Sequence, residues 1–308
     1  MWRFVLRRVL QMVPVLIGTT FLIYVAVFAL PGDPIRALGG DKPMPPSVYE
    51  ALRHHYHLDE PLITQYGRYL LGLARGDFGE TLNGQSVASL MATGWTVTVQ
   101  LALTAWVFEL VVGIALGVLA GLRKGGIIDS LVLSGTTFVI AIPAFVLAYS
   151  AQLIFGLKLG WFPTAGTDDG WPYSYLLPGI ILGSLSLAYI ARLTRTSLVE
   201  NMRADYVRTA LAKGLPRRRI ILRHTLRNSL IPVVTYLGVD LGNLLAGAIV
   251  IEGIFNLPGI GQQIFQAVQI KDGPTVVGIS TFLVLIFLLA NLVVDILYGA
   301  LDPRIRYE

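Results

Sequence analysis

The chain has 308 residues, 54% hydrophobic and only 14% charged, roughly half the charged share of a soluble domain, so an ordinary cytosolic enzyme is excluded. It has no cysteine, which removes disulfides, thiolate metal sites, iron–sulfur clusters and cysteine nucleophiles, and its 32 glycines and 16 prolines are scattered through apolar runs rather than gathered in low-complexity tracts. The net charge of +5 leaves nucleic acid in play until its placement is known.

A helix rises about 1.5 Å per residue against a hydrocarbon core of about 30 Å, so about twenty uncharged residues suffice to cross a bilayer. The first such run, Val9 to Gly32, is longer than the apolar part of a signal peptide and ends in Pro31-Gly32-Asp33-Pro34, a poor cleavage site, so it reads as a retained helix. Thr96 to Leu122 follows, with one acid, Glu109, and a Gly113, Gly117, Gly121 repeat suited to close helix packing. Ser130 to Leu157 and Gly170 to Ala191 carry no charge; Asn228 to Ile251 holds Asp240, and Gly273 to Leu301 holds Asp295. An all-α membrane protein with six crossings is expected, divided into residues 1–30 (tail and first helix), 31–95 (an outer helical cap), 96–301 (a five-helix core) and 302–308 (tail).

Six crossings put both termini on one side. That side carries 17 Lys and Arg against 7 on the other, so the termini are expected in the cytosol and the charge needs no nucleic acid. In the outer cap, Ser47 with Glu50 reads as a capping box, and Pro61 opens a helix carrying Leu62, Tyr66, Tyr69 and Leu73. His54, His55 and His57 lack an acid or thiol at tight ligand spacing; a solvated face is the preferred reading, and no metal is expected.

The cytosolic segment 192–228 carries the strongest signal. Val199, Met202, Tyr206, Val207, Ala210 and Leu211 recur at helical spacing, with Asn201, Asp205, Arg208 and Ala212 opposite. Gly214 can end this helix in a left-handed turn, and Pro216 suits the start of a second helix that feeds the fifth crossing. Such a protrusion fits either a groove on a soluble partner or an anionic lipid surface.

These residues carry a resemblance. Ala191-Arg192-Leu193-Thr194-Arg195-Thr196-Ser197, then Asp205-Tyr206-Val207-Arg208-Thr209-Ala210-Leu211-Ala212-Lys213-Gly214-Leu215, then Arg223-His224-Thr225-Leu226-Arg227-Asn228-Ser229-Leu230-Ile231-Pro232 resemble the cytoplasmic loop of the B-type permease subunits of dipeptide and oligopeptide ABC importers. Leu30-Pro31-Gly32-Asp33-Pro34, Gly76-Asp77-Phe78-Gly79, Leu159-Gly160-Trp161-Phe162-Pro163, Ile254-Phe255-Asn256-Leu257-Pro258-Gly259-Ile260-Gly261 and Leu301-Asp302-Pro303-Arg304-Ile305-Arg306 extend it over almost the whole chain. Arg208 replaces the glutamate of the general importer motif, Gly94-Trp95-Thr96 replaces a proline step near the start of the second crossing, and the Lys271–Pro274 loop is expected to be less ordered than in relatives.

The resemblance implies a type I ABC importer permease fold in the inner membrane, completed by a homologous second permease, two ABC ATPase subunits and an extracytoplasmic binding protein. Ala204, Asp205, Tyr206, Val207, Arg208, Thr209, Ala210, Lys213, Gly214 and Leu215 would form the ATPase-coupling element. Phe255, Asn256, Pro258, Gly259 and Gly261 would form an outer-gate or binding-protein loop, expected as a folded-back stretch of irregular backbone. No lysine follows a glycine in a phosphate-binding loop, so ATP and Mg belong on the partner subunits and no catalytic residue or cofactor is expected on this chain. The cargo ranges over dipeptides, longer peptides, nickel chelates, glutathione and haem. Asp240 and Glu109 are candidate pathway residues, or else hydrogen-bond neighbouring helices, and Asp240 in a lone copy is expected to face lipid until a second permease covers it. The alternative from another class is an ion-coupled secondary transporter or channel using those acids.

Overall fold

The computed structural model describes residues 2–29, 35 and 45–301. The helices in chain order are α1 (Trp2–Phe28), α2 (Pro46–His55), α3 (Leu62–Leu73), α4 (Val87–Leu122), α5 (Ile127–Ala141), α6 (Ala144–Lys158), α7 (Tyr173–Asn201), α8 (Asp205–Ala212), α9 (residues 217–229), α10 (Ile231–Phe255), α11 (Ile260–Gln269) and α12 (Gly273–Leu301). Five of them, α1, α4, α7, α10 and α12, are long and apolar enough to cross a membrane, and α5 with α6 makes a sixth only as a pair bent by 98°. The straight third crossing expected over Ser130 to Leu157 is therefore corrected. Ile142 is extended and Pro143, which has no N–H and clashes with the preceding turn, starts a new helix. The Leu30-Pro31-Gly32-Asp33-Pro34 landmark and the ending beyond Leu301 lie outside the described residues.

The contacts group the chain into two compact units, Val99–Phe255 and Met1–Thr98 with Asn256–Glu308. In the first, α7 is the central helix. The glycine repeat of α4 lies on it turn by turn: a Cβ at Gly113 would stand 2.8 Å from Ile190, one at Gly117 would stand 2.5 Å from Thr194, and one at Gly121 would stand 3.0 Å from Leu198. Steps of four on both helices in the same sense mean that α4 and α7 run parallel. Two spans in the same direction require the chain to cross back between them, so the bent α5–α6 pair completes a crossing rather than turning back on one side. Helix α10 returns antiparallel to α7, with Tyr236 against Tyr189 at 4.3 Å between ring centroids and Gly247 facing Leu182, and Ser229 at the end of α9 bonds the Ser197 carbonyl at 3.3 Å.

In the other unit, α1 and α12 are antiparallel: Gly273 abuts Val27 and Phe28 at one end, and Arg8 reaches Asp295 at 3.3 Å at the other. Asp295 thus holds a structural ion pair near one end of its span. Helix α3 rests on α1, where the Tyr66 hydroxyl bonds the Ile17 carbonyl at 2.8 Å and Thr20 at 2.9 Å, and Tyr24, Tyr66 and Val277 form a small core. The Ser47–Glu50 capping box is not formed. Pro46 already occupies the first helical position with Pro45 as the cap residue, leaving Ser47 inside the helix without a cap bond. Helix α4 begins at Val87, well before the expected start near Thr96, and Gly94 lies inside it, where a Cβ would stand 2.8 Å from the Gly259 and Ile260 backbone.

Candidate functional site

Helix α7 does not end at Ala191, where the charge-free run stops, but continues to Asn201, followed by a turn through Met202 and Arg203 to the extended residue Ala204, which caps α8. The break puts Val199 and Met202 outside α8, so the continuous apolar stripe expected from Val199 to Leu211 is corrected. On α8 itself only Val207 and Ala210 are buried, against Ile220 and Leu215, while Leu211 is 53% exposed and Tyr206 is 37% exposed. The end of α8 follows the expectation. Gly214 adopts φ +75, its N–H bonds the Leu211 carbonyl at 2.9 Å, and Leu215 N–H bonds the Ala210 carbonyl at 3.2 Å, the paired bonds of a Schellman stop, with Leu215 packed back on the helix. Pro216 then caps α9.

Two ties fix this short helix to the spans around it. The Tyr206 hydroxyl donates to Asn201 Oδ1 at 2.8 Å, linking it to the end of α7, and the Val207, Ala210 and Ile220 contact links it to α9, which runs into α10. Its open face presents Asp205, Arg208, Thr209 and Leu211, with the Asp205 and Arg208 side chains 98% and 79% exposed; Lys213 is exposed beyond them. The eight-residue helix is thus tied to its neighbours on one side and exposed on the other.

The intramembrane acids also meet. Glu109 opens a π-helical turn, Glu109–Gly113, in α4, and Trp106, one turn earlier, donates to the Leu237 carbonyl of α10 at 2.9 Å. Glu109 is 0% exposed and Asp240 is 1% exposed, and each carboxyl lies in the field of the other. Tyr236 and Asn243 donate to Asp240 Oδ1, both at 3.2 Å, whereas no donor among the described residues reaches either Glu109 oxygen or Asp240 Oδ2. A single copy of the chain therefore encloses Asp240, which corrects the expectation that it faces lipid until a second subunit arrives.

The stretch after α10 is ordered differently from the expected irregular path. Asn256, at φ +48, accepts a bond from Gln262, and after Pro258 the chain enters α11, whose first N–H, that of Ile260, bonds Thr98 Oγ1 at 2.9 Å. Phe255, Gly259 and Gly261 are buried, leaving Asn256 and Pro258 exposed. The Lys271–Pro274 corner is well ordered too. Asp272 is buried and caps α12 through Thr275 N–H at 3.1 Å and Thr275 Oγ1 at 2.8 Å, while also accepting from Leu82 N–H at 3.3 Å. Among the described residues no three His, Asp or Glu side chains gather as metal ligands.

Two family models cover the chain: a binding-protein-dependent transport system inner membrane component matches residues 113–307, and the N-terminal part of such a membrane component matches residues 1–102. The glutathione transport system permease protein GsiC of Escherichia coli (strain K12) is 38% identical over the full length of both chains, and its counterpart in Salmonella paratyphi A is 37% identical over the same extent. Among solved structures, an inward-facing form of the MetNI methionine ABC transporter superposes with a TM-score of 0.54 at 18% identity, covering 69% of this chain and 96% of that one, a likeness of fold. With five bilayer-length helices and one bent pair among the described residues, a short helix between α7 and α10, and these matches end to end, the chain belongs to the family of binding-protein-dependent transport system inner-membrane components.

Proposed function

We propose that this chain is one permease half of an ATP-driven importer that moves short peptides, glutathione-like tripeptides included, from an extracytoplasmic binding protein into the cytosol. Full-length similarity to a glutathione permease supports the cargo class. The observation that carries the mechanism is α8, which is bare on one face and tied to both α7 and α9 on the other. The bare face seats in a groove on an ABC ATPase subunit; ATP and Mg are held there, and this chain supplies no nucleotide site. ATP binding draws two such subunits together, α8 moves as a rigid body, and α7 and α10 move with it. Only the different affinity of ATP for the two arrangements biases that switch. A second permease supplies the facing half. Glu109 and Asp240, with three undonated oxygens between them, offer balancing charge to a cargo ammonium group once the helices around them part.

Gly214→Val tests whether α8 acts as a lever. No atom lies within 4 Å of a Cβ there, so the whole penalty is a β-branched residue at φ +75, ~2 kcal/mol against the turn that closes α8. In the assembled transporter this substitution, and Arg208→Glu on the bare face, are expected to abolish substrate-stimulated ATP hydrolysis while the chain still inserts and accumulates. Normal stimulated hydrolysis in both variants removes the coupling role.

Placement of the termini in the cytosol rests on the asymmetry of 17 positive residues to 7. Because the chain has no cysteine, Ser47→Cys and Thr209→Cys, both at exposed positions, report the orientation directly. An impermeant thiol reagent applied outside is expected to modify position 47 and spare 209; the reverse pattern inverts the topology.

A further inference from the structure

Beside α8, away from its bare face, lies a groove. It is lined by Tyr206, Arg223, His224, Arg227, Asn228 and Ile231. Arg223 and Arg227 stand four residues apart on α9, both exposed, and no carboxylate among the described residues pairs with either. Four residues further, Ile231 is the first residue of a membrane-spanning helix and is 62% exposed; Val234, nearly a turn beyond, is 60% exposed. One stripe of the α9–α10 helix thus changes from two unpaired guanidinium groups to bare aliphatic surface within about three turns. Tyr206 forms the other wall, its hydroxyl pinned by Asn201.

We propose that this groove binds one anionic phospholipid of the cytosolic leaflet, its phosphate between Arg223 and Arg227 and an acyl chain along Ile231 and Val234. The two guanidinium groups line the same groove and supply charge-assisted donors to one phosphate, each worth about 1 kcal/mol, or about fivefold, at an anionic membrane surface. The step from charge to hydrocarbon falls where α9 passes into α10, which is where a lipid makes the same step. A soluble acidic partner would have to reach down to the bilayer boundary to use the groove, while the face of α8 carrying Asp205 and Arg208 is the one open to the cytosol. A lipid seated here touches α8 through Tyr206 and α10 through Ile231, so its occupancy bears on the lever's freedom to move.

Native mass spectrometry of the full chain, purified with whatever subunits accompany it, tests this with added phosphatidylglycerol and phosphatidylcholine. One phosphatidylglycerol per chain is expected to be retained in preference to phosphatidylcholine. Arg223→Ala/Arg227→Ala is expected to weaken retention about thirtyfold, whereas the charge-matched Arg217→Ala/Arg218→Ala, which alters exposed arginines outside the groove, changes it less than threefold. If the first pair of substitutions prevents accumulation, Arg227→Gln alone carries the test, with a loss of about fivefold. Equal losses in both double variants, or no preference for the anionic lipid, overturn the proposal. So does unchanged lipid retention with loss of a bound protein subunit, which would assign the groove to an acidic protein surface.

Discussion

Gly117→Val is expected to destabilise the half of the chain built around α7. A Cβ at this position would stand 2.5 Å from the Thr194 Cβ and 2.6 Å from the Ala191 carbonyl oxygen. The second atom is backbone, so no rotamer change relieves the clash, and α4 must move off α7. That movement also opens the Gly113 and Gly121 contacts on either side, because the three lie on one face of one helix. Overpacking of this kind costs about 1–3 kcal/mol, and the branched side chain adds its own mismatch, so a loss of ~3 kcal/mol is expected in thermal or denaturant unfolding of the purified protein. Gly135→Ala is the control: it is helical, no atom lies within 4 Å of the added Cβ, and the substitution is expected to be neutral or stabilising by up to ~1 kcal/mol. If Gly117→Val proves as stable as the parent, the parallel α4–α7 packing is wrong, and with it the inference that α5 and α6 complete a crossing.

The second large effect concerns the ion pair that ties the start of α5 to α7. Arg195 grips Asp129 through both guanidinium donors, one at 2.7 Å, and Gly125 N–H bonds the same carboxylate at 2.8 Å, closing the loop between α4 and α5. Asp129→Ala strands the arginine and opens the loop together. Removing one partner of a buried pair costs about 3–5 kcal/mol; this pair sits near the helix ends, within reach of water, so ~2 kcal/mol is expected. A double-mutant cycle with Arg195→Ala separates the pair from the loop: the double variant should be little worse than Asp129→Ala alone. Additive losses would mean that the two side chains act independently.

The parts of this molecule legible in its sequence are those that one local rule decides. Runs of bilayer length with at most one acid mark the spans, and the Gly214, Pro216 pair marks the end of α8 and the start of α9, because only glycine takes φ +75 cheaply and proline fits a helix start. The glycine repeat pointed to close packing but could not name Ile190, Thr194 and Leu198 as its partners. The bend at Pro143 had its signal, a proline in mid-run, which the length criterion overrode. Helix α11 was hidden by the Pro258-Gly259 step before it, although Ile260, Ile264 and Ala267 keep helical spacing and are buried. Asp272 with Thr275 is likewise a readable cap that the Gly-Pro sequence masked. The meeting of Glu109 with Asp240 had no sequence signal at all, since it depends on how α4 packs with α10.

Uptake into sealed vesicles measures the proposed activity most directly. Vesicles would hold this chain with a homologous permease and two ATPase subunits, with the binding protein on the outer side and labelled glutathione and dipeptides as cargo. Accumulation is expected only with ATP inside and binding protein outside, to persist when ionophores collapse every ion gradient, and to vanish with Gly214→Val. Accumulation by the chain alone, driven by an ion gradient without ATP and lost in Asp240→Asn, would contradict an ATP-driven importer and make the buried acids the ion sites of a secondary transporter.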